Sequence, residues 1–576
     1  MKKYLIVVIF FTGFWGMTNA QEFNLGGMFG KGNLFKLNGG LNTSFLYNFT
    51  SDPNNQRDPF TMVLGGNLNL FVAGINVPLS FSYSNAKISV APPMYFNKFS
   101  ISPTYKWATL HLGTSSATFS PYTLNGHQYD GVGIDLSPGK LKLKLMTGRL
   151  LRGTGNYTAN PDQPPVYKRK GFGAVAEYEY KGVNMGLSFF HAKDDSTSAY
   201  NIPYEMAVQP KENFVLGLKT NFIVWKEVTV SAEVANNYIT QNIGSTLDPV
   251  IKKSLFSSLV HLNGTSAQQW AQNYKLGYTW KMVDMGLEYE KVDFGYQCLG
   301  SYYNQNGFEN TLLRLNFPLL KGKINLSPTL GIQNDLTDSV FSQKGSRLIT
   351  SLNATYNPTS KLSFSGNFNN NKSVTNYRNL DNIANSNNLI PFYLDSIKLV
   401  MLNLTAGINA NYQIKATKDV RQTISGGYSL QKGTKKQGDL FVDEEGSQFH
   451  NANLTLSTVY PKTTVQWNFT LNYNLSMQGT NSKTKAFGNA ASFGKKFMNK
   501  KLTTLFGMAF NTTYTDLTSV RVNVFNLRAN IGYNYKQRHD FKFSSTFQIK
   551  STSNALKALN SSSTTGIILL TYNYNF

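Results

Sequence analysis

The last eleven residues of the chain, Gly566–Phe576, alternate so regularly that they restrict what the chain can fold into. Strand side chains point to opposite faces in turn, so one face carries Ile568, Leu570, Tyr572, Tyr574 and Phe576. The other face becomes polar toward the terminus, with Thr571, Asn573 and Asn575. A barrel closed in a membrane needs this arrangement, because lipid covers its outside and water or protein its inside. The alternative is an ordinary amphipathic strand at the end of a soluble sandwich.

The aromatic ending carries a family likeness. The chain stops on Phe576 with no polar tail beyond it. In this it resembles the bacterial outer-membrane β-barrels, whose members commonly finish on such a strand. The resemblance implies that Tyr572, Tyr574 and Phe576 form a signal that the barrel-assembly machinery reads.

The first twenty residues predict export. Lys2 and Lys3 precede an almost unbroken apolar run over 4–17, and small residues end it at Ala20. This pattern is typical of a signal peptide, residues 1–20, which is removed to leave 21–576. No later segment offers about 18 consecutive apolar residues, so spanning helices are not expected. The two ends together predict a protein of the cell outer membrane.

Composition agrees with a membrane barrel. Charged residues make up 15% and aromatics 14%, and the mean hydropathy of -0.28 suits strands that are half polar. The formal charge of +24 falls to +22 without Lys2 and Lys3. For an exported barrel we expect this charge to meet outer-membrane lipid and lipopolysaccharide rather than nucleic acid.

Alternating segments bounded by turn residues recur along the whole chain. They predict an all-β fold, a single transmembrane antiparallel barrel of about 26 strands within a range of 22 to 28. Connections after even-numbered segments are short, as at 137–140 and 181–182, whereas those after odd-numbered segments include 151–169 and 239–269. Outer-membrane barrels have short periplasmic turns, longer outer loops and an even strand count. The alternation therefore supports the strand count and places the short turns in the periplasm.

A barrel of about 26 strands is wide, so we expect a segment of protein to fill part of its lumen. The segment before the first strand is too short for a plug domain, so residues 21–576 are predicted to form one barrel domain. The best internal candidate is the 239–269 loop, in which Asp248, Pro249 and the apolar spacing predict a helix over 249–262. This helix could enter the lumen or lie in a surface loop.

Charged residues cluster on the predicted inward face. Opposite signs lie on neighbouring strands, at Asp135, Lys142, Lys144, Glu177, Glu179, Glu288, Glu290 and Arg314. Such charges can pair across strands and hold the lumen in shape. Alternatively they form a constriction that selects solutes.

Lysines recur in or beside the short turns, as at Lys140, Lys181, Lys281 and Lys536. A basic collar at this rim would bind anionic phospholipid, or it would dock an acidic partner in the periplasm or in a secretion system.

The sequence contains no recognisable motif for catalysis or metal binding. The six histidines are dispersed, and HExxH and GxSxG are absent. The densest polar group is His127, Tyr129 and Asp130, which turn geometry explains as well as chemistry does. Cys298 is the single cysteine and reads as an incidental loop residue. We expect no enzyme and no cofactor.

The block from Phe99 to Leu150 adds a second likeness. Its segments ISPTYKWATLHLG and FSPYTLNGHQYDGVGIDLSPGK, followed by GRLLRG, resemble large outer-membrane proteins of the Bacteroidota. Some of those proteins accompany type IX secretion and gliding machinery. Two functions are therefore expected as alternatives: a channel or transport component without TonB coupling, or a closed structural or secretion-associated barrel that binds protein partners.

Overall fold

Antiparallel strands dominate the computed structural model. It describes residues 35–51, 58–72, 74–85, 97–159, 164–206, 208–251, 257–336, 346–375, 399–437, 440–479, 482–554 and 559–576. The predicted signal peptide, residues 1–20, and the segment up to residue 34 lie outside the described residues.

The strands of the first half are β1 (Phe35–Thr50), β2 (Phe60–Val72), β3 (Ile75–Ser84), β4 (Lys98–Ile101), β5 (Thr104–Tyr105), β6 (Ala108–Thr118), β7 (Asn125–Leu136), β8 (Leu141–Leu151), β9 (Gly155–Asn156), β10 (Lys168–Tyr180), β11 (Val183–Asp195), β12 (Ala199–Tyr200), β13 (Glu212–Val224), β14 (Val228–Thr240), β15 (Ser266–Trp280) and β16 (Val283–Val292). Those of the second half are β17 (Phe308–Leu319), β18 (Ile324–Asp335), β19 (Ser346–Thr359), β20 (Leu362–Thr375), β21 (Leu399–Ala416), β22 (Arg421–Gln437), β23 (Leu440–Tyr460), β24 (Val465–Gln478), β25 (Ser482–Phe497), β26 (Leu502–Thr515), β27 (Val520–Tyr535), β28 (His539–Asn554) and β29 (Leu559–Asn575).

The strands close into one barrel. Successive barrel strands pair antiparallel along the described chain. The first strand, β1, pairs with both β2 and the last strand, β29, so the described sheet closes on itself. The short β4 and β5 are two pieces of one barrel strand, since both lie between β3 and β6. β9 and β12 stand apart as a small parallel pair. Over the described ranges the barrel has 26 strands, which confirms the predicted fold class and strand count.

Alternation along each strand separates an apolar outer face from a polar inner one. On β24, Trp467, Phe469 and Tyr473 are exposed on the outer face, and Asn468 and Thr470 point inward. Directly paired residues share a face, so the same division continues around the sheet. Exposed outward residues such as Leu454 and Phe541 therefore form an apolar belt of the kind that lipid covers.

Long and short connections lie at opposite ends of the barrel. The turn between β10 and β11 consists of Lys181 and Gly182, both with positive φ, which lets a two-residue turn follow the twist of the strands. At the same end, lysines of other short turns lie over neighbouring aromatic rings. Lys140 Nζ is 4.4 Å from the ring centre of Tyr180, and Lys281 Nζ is 5.2 Å from that of Trp280. The predicted basic collar therefore lies beside aromatic side chains at this end of the barrel.

The predicted helix over 249–262 is wrong for its described ends. Residues 249–251 and 260–262 are not helical, and one 3-10 turn covers Ser257–Leu259. Residues 252–256 lie outside the described part of the chain.

Contacts with the barrel wall compete with that helix. His261 N–H donates to Glu212 Oε2 at 3.2 Å, and Thr240 Oγ1 donates to the His261 carbonyl at 2.8 Å. Val260 packs with Phe214 and Tyr238, which point outward, so the described C-terminal end of this loop lies on the outside of the barrel rather than in the lumen. Within the described ranges, no helix is long and apolar enough to cross a membrane.

Candidate functional site

Two loops from the long-loop end fold into the lumen. We call residues 119–124, between β6 and β7, lumen loop A, and residues 293–307, between β16 and β17, lumen loop B. Leu124 of loop A and Tyr296 of loop B are completely or almost completely buried. Loops that carry such side chains need a packed environment, because each large apolar side chain gains about 1.5–3 kcal/mol from burial.

Inward side chains of the barrel wall supply that environment. Phe190, Val215 and Ile239 lie on the inner faces of β11, β13 and β14 and are fully buried with the two loops in one apolar cluster. At Gly300 of loop B, an added Cβ would lie 2.7 Å from the Phe190 ring. Glycine at this position therefore allows the loop to lie directly on the wall.

Hydrogen bonds join the two loops to each other. The Tyr296 hydroxyl donates to the Tyr122 carbonyl at 2.6 Å, and the Cys298 thiol donates to the Thr123 carbonyl at 3.0 Å. Burial raises the pKa of the Cys298 thiol to about 12, so it remains a neutral donor. The loops are thus one packed unit, and Cys298 belongs to its core rather than being an incidental loop residue.

A ladder of amide side chains fastens loop B to the wall. Asn213, Asn237 and Gln269 face inward on adjacent strands and are hydrogen bonded in sequence. Asn237 Nδ2 also donates to the Gln297 carbonyl at 3.0 Å, and Leu299 N–H donates to Asn213 Oδ1 at 2.9 Å. Buried backbone groups of the loop thereby find partners that an apolar wall would not provide.

A group of charges lies beside the loops on the inner face. Glu288 accepts from Arg314 Nη2 at 2.7 Å, from Lys275 Nζ at 3.2 Å and from Asn273 Nδ2 at 2.9 Å. Its side chain is only 8% exposed, whereas those of Lys275 and Arg314 are about half exposed. The carboxylate is therefore compensated by two cations that still face the lumen.

Glu290 lies next to this group and connects it to loop A. The Tyr122 hydroxyl donates to Glu290 Oε1 at 2.6 Å. The neighbouring strand β14 contributes Glu233, which faces Asn273 across the sheet. The structure thus brings the predicted residues Glu288, Glu290 and Arg314 together.

The other predicted charges form a second inward group. Asp135 is in register with Lys144, and Lys142 is in register with Glu177. The closest carboxylate contacts differ from these pairs. Asp135 Oδ2 lies 3.5 Å from His111 Nε2, and Glu179 Oε2 lies 4.0 Å from Lys142 Nζ. These pairs are longer and more exposed than the close contacts around Glu288.

The opposite wall of the lumen has a different character. Within the described residues, every buried hydrophobic core residue lies between Phe119 and Ile349. From β20 around to β2, the inner face is rich in uncharged polar residues, with in-register pairs such as Asn453 with Asn472 and Thr455 with Thr470. The lumen is therefore packed along one side and lined by amides and hydroxyls along the other.

The polar residues His127 and Asp130, which the sequence places close together, point to opposite faces of β7. His127 points inward and stacks on Tyr302 of loop B with ring centres 4.3 Å apart. Asp130 points outward, where Arg149 Nη2 donates to it at 2.8 Å. The alternation of β7 thus separates residues that are adjacent in the sequence. The described residues also contain no group of three or more His, Cys, Asp or Glu that could hold a metal ion.

The terminal aromatics lie on the outer face of β29 at the short-turn end. The Tyr572 and Phe541 ring centres are 4.8 Å apart, and those of Tyr574 and Phe576 are 5.5 Å apart. Phe576 N–H donates to the Gly39 carbonyl at 3.1 Å, so the last residue is part of the seam that closes the barrel.

Sequence reasoning missed both lumen loops. A usable signal was present, because loop B contains Tyr296, Cys298, Leu299, Tyr302 and Tyr303 within a connection between strands. So apolar a loop indicates burial.

No model of a known protein family matches the chain, and no curated protein matches it. Several solved structures are similar at low identity. The translocation pore of the P pilus usher PapC is 10% identical with a TM-score of 0.36, over 94% of this chain and 99% of that chain. The siderophore receptor PirA from Pseudomonas aeruginosa is 9% identical with a TM-score of 0.40, over 94% and 80%. OccAB4 from Acinetobacter baumannii is 10% identical with a TM-score of 0.27, over 68% and 97%. These likenesses concern the fold alone.

Proposed function

We propose that the chain is an outer-membrane channel or transport component that works without TonB coupling. The observation that carries the proposal is the asymmetric lumen, in which lumen loops A and B pack against one wall while the other wall is polar. A wall of Asn, Ser and Thr is wettable, so water and polar solutes would pass along it.

The segments that narrow the lumen support the proposed independence from TonB, because they are loops of the barrel itself. Lumen loops A and B are connections between barrel strands, and both are bonded to each other and to the wall. An obstruction made in this way narrows the lumen permanently. It needs no energised displacement of a separate plug domain.

The inward charges would select the solute. Lys275 and Arg314, both paired with Glu288, are about half exposed on the inner face, where a passing solute would meet them. We assign the same role to the Asp135, Lys142, Lys144, Glu177 and Glu179 group and to Glu290. Charge groups of this kind set ion preference in channels. No enzymatic role is proposed for them.

The outer wall and the short turns support the proposed membrane setting. The apolar outer belt suits a bilayer, and the short turns with their lysines would lie in the periplasm. There the basic collar would bind anionic phospholipid or an acidic periplasmic or secretion-system partner. The aromatic terminus at Tyr572, Tyr574 and Phe576 would be the signal for the assembly machinery.

The rival proposal is a closed barrel that serves a secretion or gliding assembly, which the Bacteroidota likeness of the sequence suggests. The packed half of the lumen favours it to the extent that loops A and B obstruct the pore.

Conductance of the purified full chain in planar bilayers separates the two proposals. We expect steady single-channel steps whose size changes with the permeating ion. Mass spectrometry of proteins that copurify in mild detergent completes the test. Stable partners without conductance would overturn the channel proposal and favour the closed barrel.

A further inference from the structure

The outer face of the barrel carries a row of charges at the long-loop end. Asp130, Arg149, Lys170, Lys193 and Glu212 lie on five neighbouring barrel strands and are paired in register one after another. All five point outward. We call the three central members, Arg149, Lys170 and Lys193, the cation row.

We propose that the cation row binds a phosphate group of lipopolysaccharide, with the acyl chains of the lipid lying on the apolar wall below it. The proposal rests on the proposed membrane setting, in which the long loops face outward.

Like charges directly opposite each other destabilise a sheet unless an anion compensates them. Asp130 and Glu212 compensate the two ends, since Arg149 Nη2 lies 2.8 Å from Asp130 Oδ2 and Lys193 Nζ lies 3.2 Å from Glu212 Oε2. Lys170 between them is exposed and has no carboxylate within ion-pair distance in the described ranges. The nearby carboxylate of Asp195 also acts on Lys170, but it is paired with Lys168 at 3.7 Å. A phosphate placed over Lys170 would therefore meet three cations, because neighbouring strands are only about 4.8 Å apart.

The surface below the row suits acyl chains. The outward residues one step nearer the short-turn end, about 7 Å away along the strand, include Val132 and Phe172. Val132 and Phe172 are 40% and 43% exposed on the outer face. An anionic head at the row and apolar chains on this wall match a phosphorylated lipid in both charge and polarity.

The binding of purified lipopolysaccharide to the detergent-solubilised full chain tests the proposal. Lys170→Gln and Lys193→Gln should each weaken binding on the order of tenfold, the scale of one charge-assisted hydrogen bond. Lys170→Arg should retain binding. The matched control is Lys485→Gln, an exposed outward lysine at the same end of the barrel on β25. This control should bind like the unaltered chain.

Three outcomes would overturn the proposal: equal binding of dephosphorylated lipopolysaccharide, equal binding of phosphatidylglycerol, or an equal loss with Lys485→Gln. Heat-modifiable mobility in gels shows that each variant is folded. Because the row lies outside the lumen, its variants should leave conductance unchanged. Lipid binding therefore tests the role of the cation row, and conductance tests the channel proposal, independently of each other.

Discussion

The Tyr122 hydroxyl donates to Glu290 Oε1 at 2.6 Å, although the two residues lie 168 positions apart in the chain. The bond joins lumen loop A to the inner face of β16, next to the charges around Glu288. It therefore couples the loop that narrows the lumen to the charges that line it.

Removing this bond should loosen the lumen loops. Tyr122→Phe removes one of the donors to the partly buried Glu290 carboxylate, a loss of about 1–3 kcal/mol. We expect larger and noisier single-channel currents. The control is Tyr289→Phe, which removes a tyrosine–glutamate bond of 2.8 Å to Glu309 on the outer face. Identical currents from the two variants would show that loop A does not control the passage.

The charge around Glu288 should set ion preference. Glu288→Gln removes the carboxylate that pairs with both Lys275 and Arg314, so this part of the inner face becomes more positive. The reversal potential in a salt gradient should shift toward anion selectivity. Glu309→Gln, on the outer face beside Tyr289, should cause no shift. An unchanged reversal potential in Glu288→Gln would remove these residues from the permeation path.

The two faces of one strand provide a test of the barrel wall itself. Leu454 and Asn453 are adjacent on β23 and are both exposed, the first outward and the second toward the lumen. Arginine on a lipid-facing site near the bilayer centre costs about 2–4 kcal/mol. Leu454→Arg should therefore lower the stability of the refolded barrel in urea titrations, whereas Asn453→Arg should be tolerated. The reverse order would contradict the assignment of the faces.

Much of this wall could be predicted from the sequence, because a strand needs only local information. The side chains of Gly566–Phe576 alternate with a period of two, and each predicted strand contains the same signal. Charges such as Asp135 and Lys144 lie in register on neighbouring strands, and the period fixes their face once the strand is known.

The contents of the lumen depend on contacts between distant parts of the chain. Nothing near Tyr122 in the sequence indicates Glu290, and the pairing of Cys298 with Thr123 spans a similar distance. The helix predicted over 249–262 is wrong at its described ends for the same reason. Its apolar residues recur at helical spacing, but Val260 is buried by packing against Phe214 on the outside of the barrel rather than by forming one face of a helix.

The burial of Cys298 should control its reactivity. Because burial raises the pKa of this thiol to about 12, it remains protonated at both pH 7 and pH 9. An exposed cysteine, with a pKa near 8.5, would ionise over that range. We expect slow maleimide labelling of the folded barrel at both pH values and rapid labelling in denaturant. Tyr122→Phe should speed labelling if it releases the loops. Fast labelling of the folded chain at pH 9 would contradict the packed loop unit.

The terminal aromatic should act during assembly rather than in the folded state. Phe576 contributes backbone bonds to Gly39 that any residue could make, while its ring lies on the outer face beside Tyr574. Phe576→Ala should therefore refold normally from urea into detergent but yield less folded barrel in cells, measured by heat-modifiable mobility. Asn575→Ala, the preceding inward residue, serves as the control and should assemble normally. An equal defect of Phe576→Ala in refolding and in cells would mean that the ring stabilises the barrel seam and is not read by the assembly machinery.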